Sequence, residues 1–125
     1  MSSITLKPKL TELHTLNEFL LNELGVNEFQ VNFIAEEIFV NIVNYSKTDF
    51  IIVNVEYDKP TLTLEFIDRG IKFNPLLKED PETPDNIDEA QIGGLGIFLT
   101  KQLADDISYE YFNGENHLKI IKKVE

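Results

Sequence analysis

The sequence predicts an α+β fold, a two-layer sandwich in which helices cover one face of a mostly antiparallel, mixed sheet. Two segments before residue 47 repeat their apolar residues at the period of a helix, and two segments after it alternate at the period of a strand. Near the C-terminal end, Asn113-Gly114 separates two further apolar segments, as is typical of a β-hairpin turn. The predicted order is strand, two helices, two strands, a long loop, a helix and two strands.

Length and composition restrict the class of protein. At 125 residues the chain is predicted to be one domain, residues 1–125. Its 22 acidic and 11 basic side chains give a net charge of -11, which repels nucleic acid and anionic membranes. The absence of cysteine excludes a disulfide framework, a thiolate metal site and a cysteine nucleophile. No apolar segment resembles a signal peptide or reaches the roughly 20 residues of a membrane span, so we expect a cytoplasmic protein.

A short strand and an amphipathic helix open the chain. Residues 4–7 favour a strand that stops at Pro8. The helix is predicted to begin at Thr11 and to end at Gly25, because glycine commonly follows the last helical turn. Its core-facing residues recur at helical spacing: Leu13, Leu16, Leu20 and Leu24. Asn27 lies three residues before Gln30, the spacing of a capping box at the start of the next helix.

Residues 27–46 are predicted to form a central helix with apolar residues almost all around it, and therefore to be buried. One apolar sector contains Val31, Ile34, Ala35, Ile38, Phe39, Ile42 and Tyr45, and the other Phe29, Phe33, Val40 and Val43. Between them lies a polar stripe roughly 60° wide; it contains Gln30, Glu37, Asn41 and Asn44. Because an unpaired buried polar group costs a few kcal/mol, the stripe must face other protein groups or a ligand cavity. For Glu37, a cap or pair elsewhere in the fold and a ligand site both remain open.

Two strands follow the central helix. Residues 50–57 and 61–68 alternate with period two, and Asp58-Lys59-Pro60 between them favours a hairpin turn. Their apolar faces contain Ile51, Val53, Val55 and Tyr57 in the first strand and Leu62, Leu64, Phe66 and Asp68 in the second. A carboxylate on such a face is costly without a dedicated donor. Gly70, two residues later, allows the backbone to approach the group that supplies the donor.

A long loop and a glycine cluster precede the last helix. Residues 75–91 are rich in proline and acid, and a loop of this length is typical of a lid. Its acidic side chains favour a solvated loop, with a docking surface for a basic partner as the alternative. A helix over residues 95–104 follows, and a hairpin of residues 107–112 and 117–124 closes the chain. Glycines at a helix N-terminus can form an anion site, although the pattern is neither a P-loop nor GxGxxG.

Three segments, taken together, resemble a known superfamily. EEIFVN at 36–41, DRGIKFNP at 68–75 and GGLGIFLTKQLADDISYE from 93 are similar, in order and spacing, to the N, G1 and G2 boxes of the GHKL ATPases. The similarity is greatest to the small anti-sigma-factor serine kinases, and it covers nearly the whole chain. It implies the Bergerat ATP-binding fold, with an ATP lid at about residues 75–92.

The resemblance also implies a role for each matching residue. Glu37 matches the general base, and Asn41 matches the asparagine that supplies an oxygen to Mg²⁺, an ion that takes few protein ligands. Asp68 matches the aspartate that accepts a hydrogen bond from the adenine amino group, and Gly70 the glycine beside the base. The G2 loop, whose backbone amides reach the phosphates, corresponds to Gly93, Gly94, Leu95 and Gly96.

Departures from the family pattern leave more than one function open. Tyr45 stands where histidine is common, and Lys72 stands where proline is common. The favoured hypothesis is a Mg²⁺-ATP-dependent protein serine/threonine kinase and anti-sigma-type regulator. Its partners would be a sigma-factor-like target and a small antagonist protein, and the resemblance suggests a homodimer. The competing hypothesis is a non-catalytic module in which ATP only orders the lid and gates a protein interface. A third, a structural domain without nucleotide, requires that Asp68 and the polar stripe be satisfied internally.

Overall fold

The computed structural model describes residues 1–77 and 95–124, within which five strands form one sheet in the order β1-β2-β3-β5-β4. The strands are β1 (Ser2–Leu6), β2 (Ile51–Asp58), β3 (Thr61–Asp68), β4 (Asp106–Phe112) and β5 (Glu115–Lys123), and the helices are α1 (Leu13–Leu24), α2 (Phe29–Tyr45) and α3 (Leu95–Leu103). Every described strand pair is antiparallel. The predicted fold class is confirmed, but the parallel pairing of a mixed sheet is not found among the described residues.

The strand register follows the apolar alternation. Val53 pairs with Phe66, and Phe66 pairs with Leu118 on its other side, so buried residues line up across three strands. The same register places Asp68 between Ile51 and Asn116 at the end of the row. Since side chains directly opposite one another point to the same face, Asp68 and Asn116 both lie on the face that the helices cover.

The ends of α1 and α2 differ in how well the sequence predicted them. Gly25 ends α1 in the left-handed conformation, with φ of 77°, and its N–H donates to the Leu21 carbonyl at 2.8 Å, as expected. The predicted capping box at Asn27 is wrong. Because α2 begins at Phe29, the N-cap is Glu28, whose carboxylate accepts from the Gln30 N–H at 3.4 Å. The Asn27 side chain instead accepts from the amide of Asn32.

The prediction that α2 is buried on nearly all sides is wrong. The first predicted sector is buried except for Tyr45, which is 37% exposed, whereas no residue of the second sector is buried: Phe29 is 78% exposed, and Phe33, Val40 and Val43 are half-buried. The polar stripe is likewise interior only in its middle, because Gln30 and Asn44 are exposed. The reason is that α1, α3 and β3 pack against only part of the surface of the helix.

The C-terminal hairpin forms at the predicted turn. Asn113 and Gly114 have φ values of 53° and 74°, the positive values that a type I′ turn requires at both central positions. Of the predicted lid, residues 75–77 form a 3₁₀ turn, and residues 78–92 lie outside the described part of the chain. In the described part no helix is long and apolar enough to cross a membrane.

Candidate nucleotide-binding site

Asp68 ends β3 on the buried face of the sheet, where it is only 2% exposed. Three donors from the described residues reach it: the Ser46 hydroxyl, the Gly70 N–H at 2.9 Å and the Asn116 amide nitrogen at 3.0 Å. All three bond the same oxygen, Oδ1. The protein therefore compensates much of the cost of burying this carboxylate, for which the sequence predicted a dedicated donor. Oδ2 is the oxygen that accepts no bond from the described residues.

Gly70 lies directly against the end of α2. A Cβ on Gly70 would overlap the carbonyl oxygen and the hydroxyl of Ser46, and the following N–H, of Ile71, donates to that carbonyl at 2.7 Å. Only glycine allows this approach. The contact brings the C-terminus of α2 and the segment after β3 together around Asp68, so the two elements form one wall of the candidate site.

Sequence reasoning missed Ser46, Asn116 and Tyr109. The Asn116 amide oxygen accepts from the Phe73 N–H at 3.0 Å and from the Tyr109 hydroxyl, and its nitrogen also donates to the Ile71 carbonyl at 2.8 Å. Burial raises the pKa of the Tyr109 phenol; a backbone hydrogen bond from Phe73 opposes this rise, and the charge of Asp68 adds to it. Tyr109 therefore remains a donor at neutral pH. One available signal was that Asn116 is polar at the start of the apolar alternation of β5.

Tyr45, which departs from the family pattern, packs against the segment after Gly70. Its ring centroid lies 5.4 Å from that of Phe73, with the planes inclined by 36°. In the same segment, the ammonium of Lys72 lies 5.8 Å from the ring centroid of Tyr111. Aromatic rings from α2 and β4 thus hold residues 72–73, the segment that leads into the predicted lid.

The rest of the candidate site lies on α2, at Asn41 and Glu37, which are about 7.5 Å and 13.5 Å along the helix from Ser46 at 1.5 Å per residue. Asn41 is 8% exposed, and its amide nitrogen donates to the Glu37 carbonyl at 2.8 Å. Its amide oxygen is therefore the atom turned away from that carbonyl. Glu37 is half-buried, and burial, assisted by the neighbouring charge of Glu36, raises the pKa of its carboxyl above the ordinary 4.5.

The Glu37 carboxylate meets the first turn of α3. A Cβ on Gly96 would overlap Oε2 and Cδ of Glu37, so the side chain lies against the bare Cα of the second residue of this helix. The exposed N–H groups and the dipole of a helix N-terminus favour anions. Of the predicted G2 residues, Gly96 contacts Glu37, Leu95 begins the helix, and Gly93 and Gly94 lie outside the described residues.

The described residues fit a nucleotide with its metal. Asp68 has a second carboxylate oxygen, Oδ2, that could accept from a base, and Asn41 carries an amide oxygen, the type of atom that Mg²⁺ binds. Mg²⁺ commonly takes only one or two protein ligands and completes its shell with phosphates and water. Within the described residues no group of three or more histidine, aspartate or glutamate side chains is placed to hold a metal.

Comparisons with known proteins show which family this chain is similar to. The sequence model of the family described as the histidine kinase-like ATPase domain matches residues 8–122. The serine/threonine-protein kinase BtrW of Bordetella bronchiseptica is 27% identical over 96 residues, which cover 74% of this chain and 68% of BtrW. The histidine kinase AdeS of Acinetobacter baumannii superposes over 100% of this chain and 68% of its own with a TM-score of 0.53. At 12% identity, the second similarity shows the fold alone.

The family match extends across all the elements that build the site, from before α1 to β5. An ATPase domain of this type implies that the chain binds ATP. The chain belongs to the family of histidine kinase-like ATPase domains, the GHKL ATPases, and is similar to the serine/threonine-protein kinase BtrW.

Proposed function

We propose that this chain is a Mg²⁺-ATP-dependent protein serine/threonine kinase that acts as an anti-sigma-type regulator. It phosphorylates a small antagonist protein, and it holds or releases a sigma-factor-like target according to its nucleotide state. The observation that supports this best is the contact between the Glu37 carboxylate and the first turn of α3 at Gly96. A carboxyl of raised pKa beside a helix N-terminus, where phosphate is favoured, supports the proposal that Glu37 is the general base.

Three residues of the candidate site have a part in the proposed reaction. Asp68 accepts a hydrogen bond from the adenine amino group at Oδ2, because Oδ1 is already bonded by three protein donors of the described chain. Asn41 holds Mg²⁺ through its amide oxygen, and the metal, when bound, neutralises charge on the phosphates. Glu37 takes the proton from the serine or threonine hydroxyl of the antagonist. Burial raises the pKa of the Glu37 carboxyl, which makes its carboxylate a stronger base than that of an ordinary glutamate.

The test is phosphate transfer from labelled ATP to candidate antagonist proteins encoded beside this chain. Glu37→Gln should lower the transfer rate by about 10²- to 10⁴-fold, the usual contribution of a general base, while ATP affinity stays close to that of the wild type. Glu36→Gln is the matched control, because it removes the same charge from the neighbouring position of α2 and should leave transfer largely intact. Transfer by Glu37→Gln at the wild-type rate would refute the role of Glu37.

A second candidate function is a non-catalytic module in which ATP gates a protein interface. The ring contact between Tyr45 and Phe73 favours it, since it ties α2 to the segment that leads into the predicted lid. In that case the wild type transfers no phosphate to any candidate, and ATP changes the affinity for a partner equally in the wild type and in Glu37→Gln. Binding assays with and without ATP on both proteins separate the two functions.

A further inference from the structure

The side-chain amide of Asn116 connects Asp68 to the segment that follows it. Its nitrogen donates to Asp68 Oδ1 at 3.0 Å and to the Ile71 carbonyl at 2.8 Å. Its oxygen accepts from the Phe73 N–H at 3.0 Å and from the Tyr109 hydroxyl. At 4% exposure, Asn116 thus uses both donor hydrogens and both acceptor positions of its amide inside the protein.

The partners leave one orientation for this amide. The Ile71 carbonyl can only accept a hydrogen bond, so the amide nitrogen of Asn116 must face it. The Phe73 N–H can only donate, so the amide oxygen of Asn116 must face that group. With the amide held in this way, the second hydrogen of the nitrogen points at Asp68. An aspartate in place of Asn116 would keep both acceptor contacts and lose both donor contacts.

The bond from Asn116 bears on the orientation of the Asp68 carboxylate. Rotation about the terminal torsion of an aspartate is broad and only weakly restricted by itself. Here, donors from the end of α2, from the segment after β3 and from β5 converge on Oδ1. Three directions of approach fix the plane of the carboxylate, and with it the direction of Oδ2.

We propose that Asn116 is a positioning residue that gives the site its selectivity for a 6-aminopurine base. It holds Asp68 so that Oδ2 faces the exocyclic amino group, and it links this contact to the backbone at Ile71 and Phe73. The inference depends on the proposed ATP site. It adds that recognition of the base is set by a side chain that does not itself touch the nucleotide.

The test compares ATP with purine riboside triphosphate, which lacks the 6-amino group, by calorimetric titration of the wild type and Asn116→Asp. A hydrogen bond to a charged oxygen gives the wild type a preference for ATP of about tenfold or more. In Asn116→Asp this ratio should fall at least threefold, because an acceptor now faces Asp68 Oδ1. Asn113→Asp is the control, since it makes the same substitution at an exposed turn position of the same hairpin, and its ratio should match that of the wild type.

The possible results separate the inference from the function on which it rests. If Asn116→Asp weakens both nucleotides by the same factor, Asn116 only supports the fold and the inference is refuted. If the wild type binds neither nucleotide, the ATP site itself is refuted, and the inference with it. If the wild type binds ATP and purine riboside triphosphate equally, the ATP site stands and the inference fails.

A measurement on the wild type covers the case in which Asn116→Asp does not fold. The side-chain amide signals of Asn116 in ¹⁵N-labelled protein should shift when ATP is added. They should shift much less with purine riboside triphosphate at the same saturation, because that nucleotide brings no donor to Oδ2. Equal shifts with both nucleotides, or none with either, would overturn the inference.

Discussion

Glu37 and Gly96 lie so close together that a Cβ on Gly96 would overlap the Glu37 carboxylate. The two residues belong to different helices, α2 and α3, and are 59 positions apart along the chain. The absence of a side chain at residue 96 therefore lets a carboxylate of raised pKa lie at the N-terminal turn of α3. The proposed general base, Glu37, therefore lies next to the helix N-terminus that is the proposed phosphate site.

The first prediction concerns this contact. Gly96→Ala should displace the Glu37 carboxylate, and a displacement of about 1 Å can lower a transfer rate by about 10²-fold. In a Glu37→Ala background the same substitution should instead stabilise the protein by up to about 1 kcal/mol, because alanine favours a helix more than glycine does. Urea denaturation of the four proteins measures the coupling. An equal effect of Gly96→Ala in both backgrounds would show that the carboxylate is not what the new methyl group meets.

The second prediction is the pH dependence of stability. Burial raises the folded-state pKa of Glu37 above 4.5, so folding favours the protonated carboxyl. Its stabilising contribution is full below the unfolded-state pKa and is lost as the pH rises through the folded-state pKa. Glu37→Gln, which cannot ionise, should therefore gain stability relative to the wild type as the pH rises through this range. Denaturation series at several pH values test this, and a difference that does not vary with pH would contradict it.

Glu36→Gln tests the second cause of the raised pKa of Glu37 in a different measurement, the pH dependence of activity. The charge of Glu36 is the second cause of the raised pKa of Glu37. Its removal should lower this pKa, and the acid limb of the profile of kcat/KM against pH should move to lower pH. Glu28→Gln, which removes a carboxylate at the start of α2, is expected to leave the limb in place.

The third prediction concerns the base that Asp68 recognises. Asp68→Asn retains an oxygen that can accept the three protein donors on Oδ1, but it replaces Oδ2 with an amide nitrogen. The site would then present a donor, which suits the 6-oxo group of ITP and repels the amino group of ATP. At a hundredfold excess over Kd, ATP should stabilise the wild type by about 2.7 kcal/mol. Thermal-shift titrations should show this stabilisation lost in Asp68→Asn, with a gain for ITP.

The exposed Asp106→Asn, at the start of β4, is the control for the loss of one negative charge. It should respond to both nucleotides like the wild type. If ATP stabilised Asp68→Asn as much as the wild type, Oδ2 would not face the base.

The fourth prediction uses two buried threonines. Thr100 in α3 is fully buried, and its hydroxyl has no hydrogen-bond partner in the described part of the protein. Thr100→Val should therefore raise the free energy of unfolding by about 1 kcal/mol. Thr48→Val should lower it by about 1–2 kcal/mol, because the Thr48 hydroxyl donates to the Phe50 carbonyl at 2.8 Å and accepts from the Arg69 N–H at 3.2 Å. Urea denaturation measures the free energy of unfolding of both variants. Equal losses of stability would contradict the difference in hydrogen bonding between the Thr100 and Thr48 hydroxyls.

The sequence alone was sufficient for most of the secondary structure. Strand β3 spans Thr61–Asp68 as predicted, Gly25 ends α1, and Asn113-Gly114 forms the last turn. These features depend on local properties: the period of the apolar residues and the φ values that particular residues tolerate. The expectation of burial all around α2 failed, because the apolar pattern of one helix does not state how much of it neighbouring elements cover.

Part of the candidate site could also be predicted from the sequence, and part of it could not. Glu37, Asn41, Asp68, Gly70 and Gly96 were found from motif spacing, and the structure brings Glu37 to Gly96 and Gly70 to Ser46. The partners of Asp68 could not be predicted, because Ser46 and Asn116 lie 22 and 48 positions away from it in the sequence. Only the antiparallel register of β3 and β5 and the packing of the end of α2 against Gly70 bring these donors to one oxygen. The local pattern thus determined which residues are candidates for the site, and tertiary packing decided which hydrogen bonds orient Asp68.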